Sequence, residues 1–451
     1  MKLYYDINDK PKFPQLVVYA IQQLLAIMAA TLVVPLIIGN DMQPSAALFG
    51  AGIGTLVYLL FTRGKSPVFL GSSFAFIGSM SAAFAGAVSV QAGYAGLIIG
   101  AIFAGLVYVV IALIIKLAGV GWIDRLMPKQ VIGPTVAIIG LSLAANAIGD
   151  LQKGDVSSLD GEMLANPLIA VLCGLVALFV TMICSTYGKK SIKLIPFIIG
   201  ILSGYALAAV FTVIGNSAGI DSLKVIDFSV FENMTVFTLP DFTFLTAMKG
   251  VKEIDAAYIG TLAVAYLPVA FVVFAEHIAD HKNISSIIER DLLKEPGLDK
   301  TLLGDGVGSM VGAFFGGCPN TTYGESVACV AITKNASVAT IRAAAVGAML
   351  ISFFSPFVAF VDSIPACVMG GVCMALYGFI AVSGLKMIQS VDLEDNRNLF
   401  TVSVILIAGI GGLTLNFGKI TITAVACALI LGILTNLALG KKQAAPAEDA
   451  E

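Results

Sequence analysis

The chain has 451 residues, of which 58% are hydrophobic and only 12% are charged. A soluble domain carries about 25% charged residues, so this composition, with a mean hydropathy of +0.94, excludes an ordinary soluble protein. It indicates instead a protein that crosses the membrane many times. The net charge is −3, so the chain has no excess of basic residues of the kind that binds nucleic acid, and we expect no nucleic-acid partner.

Apolar stretches of about the length that crosses a bilayer follow one another along the whole chain. In chain order they cover residues 14–38, 45–62, 68–86, 95–117, 130–149, 165–185, 191–215, 256–277, 301–317, 321–335, 337–361, 363–385, 398–414 and 419–439. The sequence therefore predicts an all-α polytopic membrane protein with fourteen transmembrane segments. The third and tenth segments are the weakest, because each begins with polar or small residues.

The distribution of basic residues predicts the orientation. If the N-terminus is cytoplasmic, 21 of the 26 lysines and arginines fall in cytoplasmic segments, as the positive-inside rule requires. Removing the tenth segment would move Lys334 and Arg342 to the outside. We therefore expect a multi-pass protein of the cell membrane with both termini in the cytoplasm, and the lipid bilayer as its surroundings.

The chain also matches itself. "LFGAGIGTLV" (48–57) aligns with "LLGDGVGSMV" (302–311), and "MPKQVIG" (127–133) aligns with "IPACVMG" (364–370). The two members of each pair lie seven segments apart. Because seven is an odd number, the second member crosses the membrane in the opposite direction to the first. The pattern predicts two inverted seven-span repeats, which are typical of secondary transporters that bind their substrate near the midplane. The glycines of the first pair are explained by helix packing.

The third and tenth segments have interrupted beginnings, "PVFLGSSFAF" (67–76) and "GCPNTTYGES" (317–326). Non-helical backbone at membrane depth is tolerated where it lines a cavity or is buried in protein. We expect two short strands facing each other, followed by half-helices whose amides point at a ligand. Gly324 allows close approach of a ligand, Phe74 and Tyr323 supply aromatic surface, and Glu325 supplies an acceptor.

A second carboxylate, Glu276, stands late in the apolar eighth segment, and intramembrane carboxylates are functional candidates by default. Asp280 shares its helix face, and His277 and His281 share the neighbouring one. The cluster is suited to carrying a proton. Two alternatives stay open: Glu276 as a structural acid bonded to another helix, and Asp280 and His281 as solvated residues at the cytoplasmic end. The spacing spreads the four side chains over two faces, so no metal site is expected.

Four stretches together resemble the nucleobase–ascorbate transporter family of nucleobase:cation symporters, with the uracil permease branch nearest. They are "AEHIADH" (275–281), "PNTTYGES" (319–326) with a following "AIT", "FLGSSFAF" (69–76) and "MGGVCMALYGFIAVSG" (369–384). Three of the motifs depart from the family pattern. Asp280 stands where the uracil permeases have histidine, and Gln23 replaces the histidine of the familiar "QH". After Glu325 the family usually has asparagine, any residue and glycine, whereas this chain has Ser326, Val327 and Ala328.

The resemblance implies a core domain and a gate domain. Applied to this chain, it implies a cytoplasmic segment 1–13, core residues 14–117, gate residues 118–220, core residues 221–361 that begin with an extracellular loop, gate residues 362–440, and a disordered cytoplasmic tail 441–451. It further implies a homodimer with gate helices at its interface.

The resemblance also assigns site residues. Substrate-binding residues would be Glu276, Glu325, Tyr323, Gly324, Phe74, Ala30 and Tyr377. Proton coupling would involve Glu276 together with Asp280, His281 and His277.

From the residues and the family resemblance together, we expect the protein to import a nucleobase, with uracil as the first choice. Transport would occur by proton symport, through movement of the core against the gate. No cofactor is expected beyond a co-transported proton, or sodium. The alternatives are a purine or xanthine permease coupled to sodium, an anion exchanger of the same architecture, and a channel or membrane sensor of nucleobases. An enzyme is not expected, because no catalytic constellation stands in the sequence.

Overall fold

The computed structural model describes residues 3–119, 122, 126–157, 163–189, 191–232, 234–417 and 420–440. Most of these residues are helical, and the strands are only three residues long. The helices are α1 (Phe13–Ile38), α2 (Pro44–Phe61), α3 (Ile77–Gly86), α4 (Val90–Ala118), α5 (Lys129–Ser142), α6 (Ala144–Leu151), α7 (Pro167–Tyr187), α8 (Ser191–Leu194), α9 (Pro196–Ala218), α10 (Thr243–Gly250), α11 (Ala256–Ile288), α12 (Leu298–Gly316), α13 (Gly324–Thr333), α14 (Val338–Ile351), α15 (Ser355–Asp362), α16 (Ala366–Gln389), α17 (Asn396–Ile410) and α18 (Ala424–Leu439). The strands are β1 (Leu70–Ser72), β2 (Asn320–Thr322), β3 (Leu415–Phe417) and β4 (Ile420–Ile422).

Within the described ranges, eight helical segments are long and apolar enough to cross a membrane, with α5 and α6 counted as one segment. Five shorter apolar helices accompany them. The protein is therefore a polytopic, mostly helical membrane protein, as its composition predicts. The count of fourteen spans and their arrangement as inverted repeats stay predictions, and the predicted tail 441–451 lies outside the described residues.

The helices pack mainly within two groups. In the first group, α2 packs on α12 and α14, α4 packs on α10, α11 and α12, and α1 packs on α14. In the second group, α16 packs on α5, α6 and α7, α9 packs on α7, and α17 packs on α5 and α18. Fewer contacts join the groups, chiefly where α11 meets α18 and β4.

Glycines allow α2 and α12 to approach closely, at the segments that match each other in sequence. A methyl group at Gly50 would overlap the carbonyl of Gly312, and one at Gly308 would overlap the carbonyl of Gly54. Asn320 fills the remaining space and donates its side-chain amide to the carbonyl of Gly50 at 2.9 Å. The packing role expected for these glycines is confirmed.

β1 and β2 pair antiparallel in the interior, with Gly71 opposite Thr321 at the centre of the register. Both strands are fully buried. Gly317, in the left-handed region at φ 74°, ends α12, and the chain then runs through Pro319 into β2. A 3₁₀ turn (Phe74–Phe76) and α3 follow β1, whereas α13 follows β2 directly. Two half-helices therefore begin beside a pair of strands inside the bundle.

Four features were not predicted from the sequence. The fifth predicted segment is broken at Leu143 into α5 and α6, and the eleventh is broken between α14 and α15. A short hairpin, β3 with β4, precedes α18. α10 lies in the stretch predicted as an extracellular loop and packs on α4 and α12.

The N-terminal segment is tied to one face of the bundle. The amide of Tyr4 donates to the carbonyl of Lys334 at 2.8 Å, and the amide of Ala336 donates to the carbonyl of Tyr5 at 2.9 Å. Asp6 pairs with Arg290, which follows α11. These contacts place the ends of α11 and α13 on the same face as the N-terminus, which is called the N-terminal face below.

Candidate functional site

A cavity of about 470 Å³ lies between the two helix groups, where β1 and β2 meet the half-helices. Its size falls in the range of small-molecule sites. The first group contributes Ser73, Phe74, Ala275, Glu276, Ala279, Asp280 and residues 321–325, among others, and the second contributes Ile132, Val136, Ile139, Leu376, Phe379 and Ile380. The cavity also reaches Ser185 near the end of α7, Lys193 in α8, and Ser383 and Met387 toward the end of α16. Because α8 also packs on α13, the cavity extends toward the N-terminal face.

Three carboxylates face this cavity: Glu276 and Asp280 from α11, and Glu325 from the first turn of α13. Glu276 and Asp280 lie four residues apart and so share one face of α11. Lys193 is the one basic side chain among the described lining residues. A cavity with three acids and otherwise mostly apolar walls is suited to a ligand that donates N–H bonds, and is poorly suited to an anion.

The backbone around the acids is held in place by the strands. Ser73 donates its amide to Pro319 at 2.9 Å, and Tyr323 donates its amide to Phe69 at 3.3 Å. The first amides of α13, from Gly324 onward, belong to a helix N-terminus, where backbone donors lack intrahelical partners and carry partial positive charge. A methyl group added at Gly324 would meet only Asp280, at 3.8 Å, so glycine keeps this side of the cavity open.

Asp280 is fixed by β2. The hydroxyl of Thr322 donates to the Oδ2 atom of Asp280 at 2.9 Å. Both residues line the cavity. The aspartate that departs from the family pattern is therefore bonded to the strand that carries the family motif.

Two of the predicted substrate residues lie behind the cavity wall rather than in it. Ala30 is buried in α1 and packs in the same apolar cluster as Tyr323. Tyr377 is buried in α16, with its ring edge-on to Phe74 and 6.1 Å away between centroids. From α16, the neighbours Leu376, Phe379 and Ile380 line the cavity instead. The residue type could be read from the sequence, but the rotation of α16 about its axis could not.

His277 and His281 lie on a different side of α11, buried and away from the cavity. His277 contacts Oδ2 of Asp305 at 2.7 Å through Nδ1, and the hydroxyl of Thr301 at 3.0 Å through Nε2. His281 contacts the hydroxyl of Tyr58 at 2.7 Å. The cluster of four predicted for proton coupling is therefore divided, with Glu276 and Asp280 in the cavity and the histidines against α2 and α12.

Asp305 was missed by the sequence analysis, although it stands inside the repeated segment "LLGDGVGSMV". It is fully buried. The available signal was an acid in the middle of a glycine-rich apolar segment, the same signal that drew attention to Glu276.

The two other departures from the family pattern contact each other. The side-chain amide of Gln23 donates to the hydroxyl oxygen of Ser326. The same oxygen accepts from the amide of Phe69 at 3.0 Å. This bond joins α1, the approach to β1 and the first turn of α13 behind the cavity.

Comparison with known proteins places the chain in a family. A model described as "Permease family" matches residues 14–417. The chain belongs to this permease family, the nucleobase–ascorbate transporter family. It is thus a multi-pass membrane transporter and not an enzyme.

Among the relatives, the uracil permease of Bacillus caldolyticus is 39% identical over 98% of this chain and 96% of its own length. The uracil permease of Escherichia coli (strain K12) is 33% identical over 95% of this chain and 92% of its own length.

Solved structures show where else the fold occurs. The transmembrane domain of the cyanobacterial bicarbonate transporter BicA aligns with a TM-score of 0.60 at 15% identity, covering 96% of this chain and all of that chain. The murine Slc26a9 anion transporter, in the inward-facing state, aligns with a TM-score of 0.63 at 11% identity, covering 96% of this chain and 69% of that chain. At these identities the likeness concerns the fold alone.

Proposed function

We propose that this permease imports a nucleobase, with uracil as its first substrate, by proton symport. The observation that carries the proposal is the meeting of Glu276 and Glu325 with the N-terminus of α13 in one cavity. The names of the relatives, uracil permeases at 33–39% identity over nearly the whole chain, support the same choice.

The chemistry of uracil suits these groups. Uracil is a flat ring in which N–H donors alternate with carbonyl acceptors. The two carboxylates accept from the ring N–H groups, and the amides at the start of α13 donate to the carbonyls. A site built this way rejects analogues that lack either group, because its own buried partners would stay unpaired. Phe74 provides an apolar surface for one face of the ring.

We infer that the two helix groups act as the core and gate of an elevator. The first group carries the acids, the strands and the half-helices, and the second offers an apolar wall. Fourteen spans in two inverted sevens, with both termini in the cytoplasm, fit this movement. Since the cavity reaches toward the N-terminal face, this conformation is the inward-facing one under that orientation. A homodimer with gate helices at its interface remains part of the proposal.

Proton loading from outside favours substrate binding, and release inside follows the movement of the core. The structural neighbours are named as bicarbonate and anion transporters. In this chain, the three acids in the cavity disfavour an anion as substrate. Sodium in place of the proton, with a purine or xanthine as substrate, is the alternative that the experiment must separate.

The test is accumulation of labelled uracil in membrane vesicles by Glu276→Gln and Glu325→Gln variants, with Glu394→Gln, an exposed acid, as the matched control. Both cavity variants are expected to lose accumulation at unchanged protein abundance, and the control to keep it. Wild-type uptake by both cavity variants rejects the assignment. Competition by xanthine, with and without a sodium gradient, separates the purine alternative, and conductance without saturable uptake would indicate a channel.

A further inference from the structure

The two histidines of the chain form a buried polar cluster that the substrate cavity does not use. His277 and His281 stand on successive turns of α11, with their rings stacked at 4.0 Å between centroids. Both are fully buried, as are Asp305 and Thr301 of α12 and Tyr58 of α2. Buried polar side chains are almost always hydrogen-bonded, so the positions of the hydrogen atoms among these five side chains can be assigned from their contacts.

His281 is satisfied as a neutral ring. Its Nδ1 atom lies 2.8 Å from the carbonyl of His277, and a carbonyl only accepts, so Nδ1 carries the hydrogen. Nε2 is then an acceptor. The Tyr58 hydroxyl, 2.7 Å from Nε2, donates its hydrogen to Ser66 at 2.6 Å, so Nε2 takes the hydrogen of the Ser66 hydroxyl at 3.4 Å. His281 thus ties α11 to α2 without a charge.

His277 is different, because its bonds require one additional proton. The hydroxyl of Thr301 donates to the carbonyl of Leu298 at 3.1 Å, so it can only accept from Nε2 of His277. Nε2 therefore carries a hydrogen. A neutral ring would then turn a bare Nδ1 toward a carboxylate oxygen 2.7 Å away, which sets two acceptors against each other. A proton must lie between Nδ1 of His277 and Oδ2 of Asp305.

The surroundings keep that proton in place. Oδ1 of Asp305 is buried with no hydrogen-bond partner among the described residues, so loss of the proton would leave a full negative charge in an apolar interior. The titratable groups within electrostatic range of Asp305 are Glu276 and Asp280 of α11, Tyr58 of α2 and Tyr108 of α4. Glu325 of α13 interacts electrostatically with Glu276, which in turn interacts with Asp305. All five groups carry negative charge or none, so none of them supplies a compensating cation.

We propose that His277 and Asp305 form a proton-binding site outside the substrate cavity, and that this site couples the proton to transport. The inference rests on the proposed proton symport and deepens it. One proton binds per pair: neutral His277, the Asp305 carboxylate and H⁺ give a shared proton and zero net charge. With the pair neutral, Glu276, the residue next to His277, stays ionised and accepts an N–H from the substrate. Release of the proton leaves one negative charge beside Glu276. Repulsion between the two charges destabilises the ionised form of Glu276 that accepts the N–H, so the substrate is bound less tightly.

The test compares Asp305→Asn with Asp299→Asn, the same change in the first turn of α12, outside the cluster. Purified protein in liposomes is assayed for accumulation of labelled uracil driven by a pH gradient, and for counterflow without a gradient. Asp305→Asn is expected to lose gradient-driven accumulation by about tenfold or more relative to counterflow, whereas the control keeps the wild-type ratio.

The outcomes are separable. Wild-type accumulation by Asp305→Asn overturns the coupling site and leaves the proposed function intact. A wild-type protein that exchanges uracil but does not respond to a pH gradient overturns both, and one that does not transport uracil overturns the proposed function itself.

A second measurement covers the case in which Asp305→Asn does not fold. The chain has two histidines, so ¹⁵N spectra of labelled wild-type protein contain two ring systems, and a His281→Asn variant assigns them. We expect His277 to show a hydrogen on Nε2 and a shared proton at Nδ1, with shifts that change when uracil binds, and His281 to keep the Nδ1–H form. A His277 ring with a bare Nδ1, unchanged with and without uracil, contradicts the proposal.

Discussion

Thr322 of β2 donates its hydroxyl to Asp280 of α11 at 2.9 Å, and so binds the strand of one half-helix to the helix that carries Glu276. The bond holds the carboxylate of Asp280 against β2 at the wall of the cavity. A charge-assisted hydrogen bond of this kind contributes about 1.5–3 kcal/mol.

The first prediction concerns this bond. Thr322→Val keeps the shape of the side chain and removes the donor, so Asp280 can turn into the cavity and add its charge beside the substrate. We expect initial uptake of labelled uracil to fall about 10- to 100-fold, from the energy of the lost bond. Thr401→Val is the control, since the Thr401 hydroxyl bonds only the carbonyl of Arg397 in its own helix, at 2.8 Å. Equal uptake by both variants would refute a role for the Thr322 bond.

The second prediction concerns Phe74. Its ring lines the cavity and is supported from behind by Tyr377. Stacking of a base on an aromatic ring contributes about 1–3 kcal/mol, so Phe74→Ala should raise the Kd for uracil about 10- to 100-fold while Phe74→Tyr should change it little. Isothermal titration with purified protein measures this. Phe179→Ala, at a half-exposed position on α7, should bind as the wild type does, and a Phe74→Ala variant with the wild-type Kd would show that the ring does not touch the base.

Features that depend on composition and local pattern were predictable from the sequence. Apolar length indicated the helices, and the polar or small residues that interrupt the third and tenth segments before Phe74 and Tyr323 indicated the two strands, which do pair. Glu276 and Glu325 stood out because ionisable groups are costly in a membrane. Their assignment to one substrate site came from the family resemblance, and both side chains line one cavity.

Features that depend on helix rotation and on long-range partners were not predictable. His277 and Glu276 lie on neighbouring faces of α11, as their spacing predicts, but the sequence does not indicate which face meets the cavity and which meets Asp305. Nothing local indicates that Asp305, 28 positions further along the chain, lies opposite His277. Position 377 has the expected tyrosine, but α16 is rotated so that other residues of this helix line the cavity.

The third prediction tests the strand pair through glycine. A methyl group at Gly71 would overlap the ring of Tyr323 and the hydroxyl of Thr31, and the hydroxyl of Tyr323 is itself bonded to the carbonyl of Ser72. Gly71→Ala should therefore destabilise the protein by about 1–3 kcal/mol through overpacking and should abolish uracil uptake. Differential scanning fluorimetry in detergent gives the shift in Tm.

Gly78, seven positions along, is the matched control. A methyl group there would meet nothing within 4 Å, and the residue lies inside α3. Gly78→Ala should leave uptake unchanged and stabilise the helix by roughly 0.5–1 kcal/mol, because alanine loses less conformational freedom than glycine on folding. Similar Tm values for the two alanine variants would mean that the strand pair tolerates a side chain at Gly71.

The fourth prediction concerns Asp155, in the connection between α6 and α7. Its Oδ1 atom accepts the amide of Ala366 at 3.0 Å, at the beginning of α16. Burial raises the pKa of Asp155 from its ordinary value of 3.8 to about 6. The folded protein therefore binds this proton more tightly than the unfolded chain does, so the contribution of Asp155 to the free energy of unfolding is greatest below about pH 4, decreases as the pH rises toward 6, and is constant above that.

Asp155→Asn keeps an oxygen that accepts from Ala366 and removes the charge of the carboxylate. Because Asp155 is solvent-exposed and water screens its charge, the gain in stability should be well below the full value of the pKa shift, about 1 kcal/mol or less. The variant should have a slightly higher Tm than the wild type near neutral pH, and the difference should vanish near pH 4. Asp227→Asn is the control, because Asp227 is also exposed and accepts a backbone amide, but from Ser229 in its own turn and not from another helix. Scanning fluorimetry from acid to neutral pH measures both, and a Tm difference for Asp155→Asn that is independent of pH would show that the carboxylate of Asp155 does not titrate in this range.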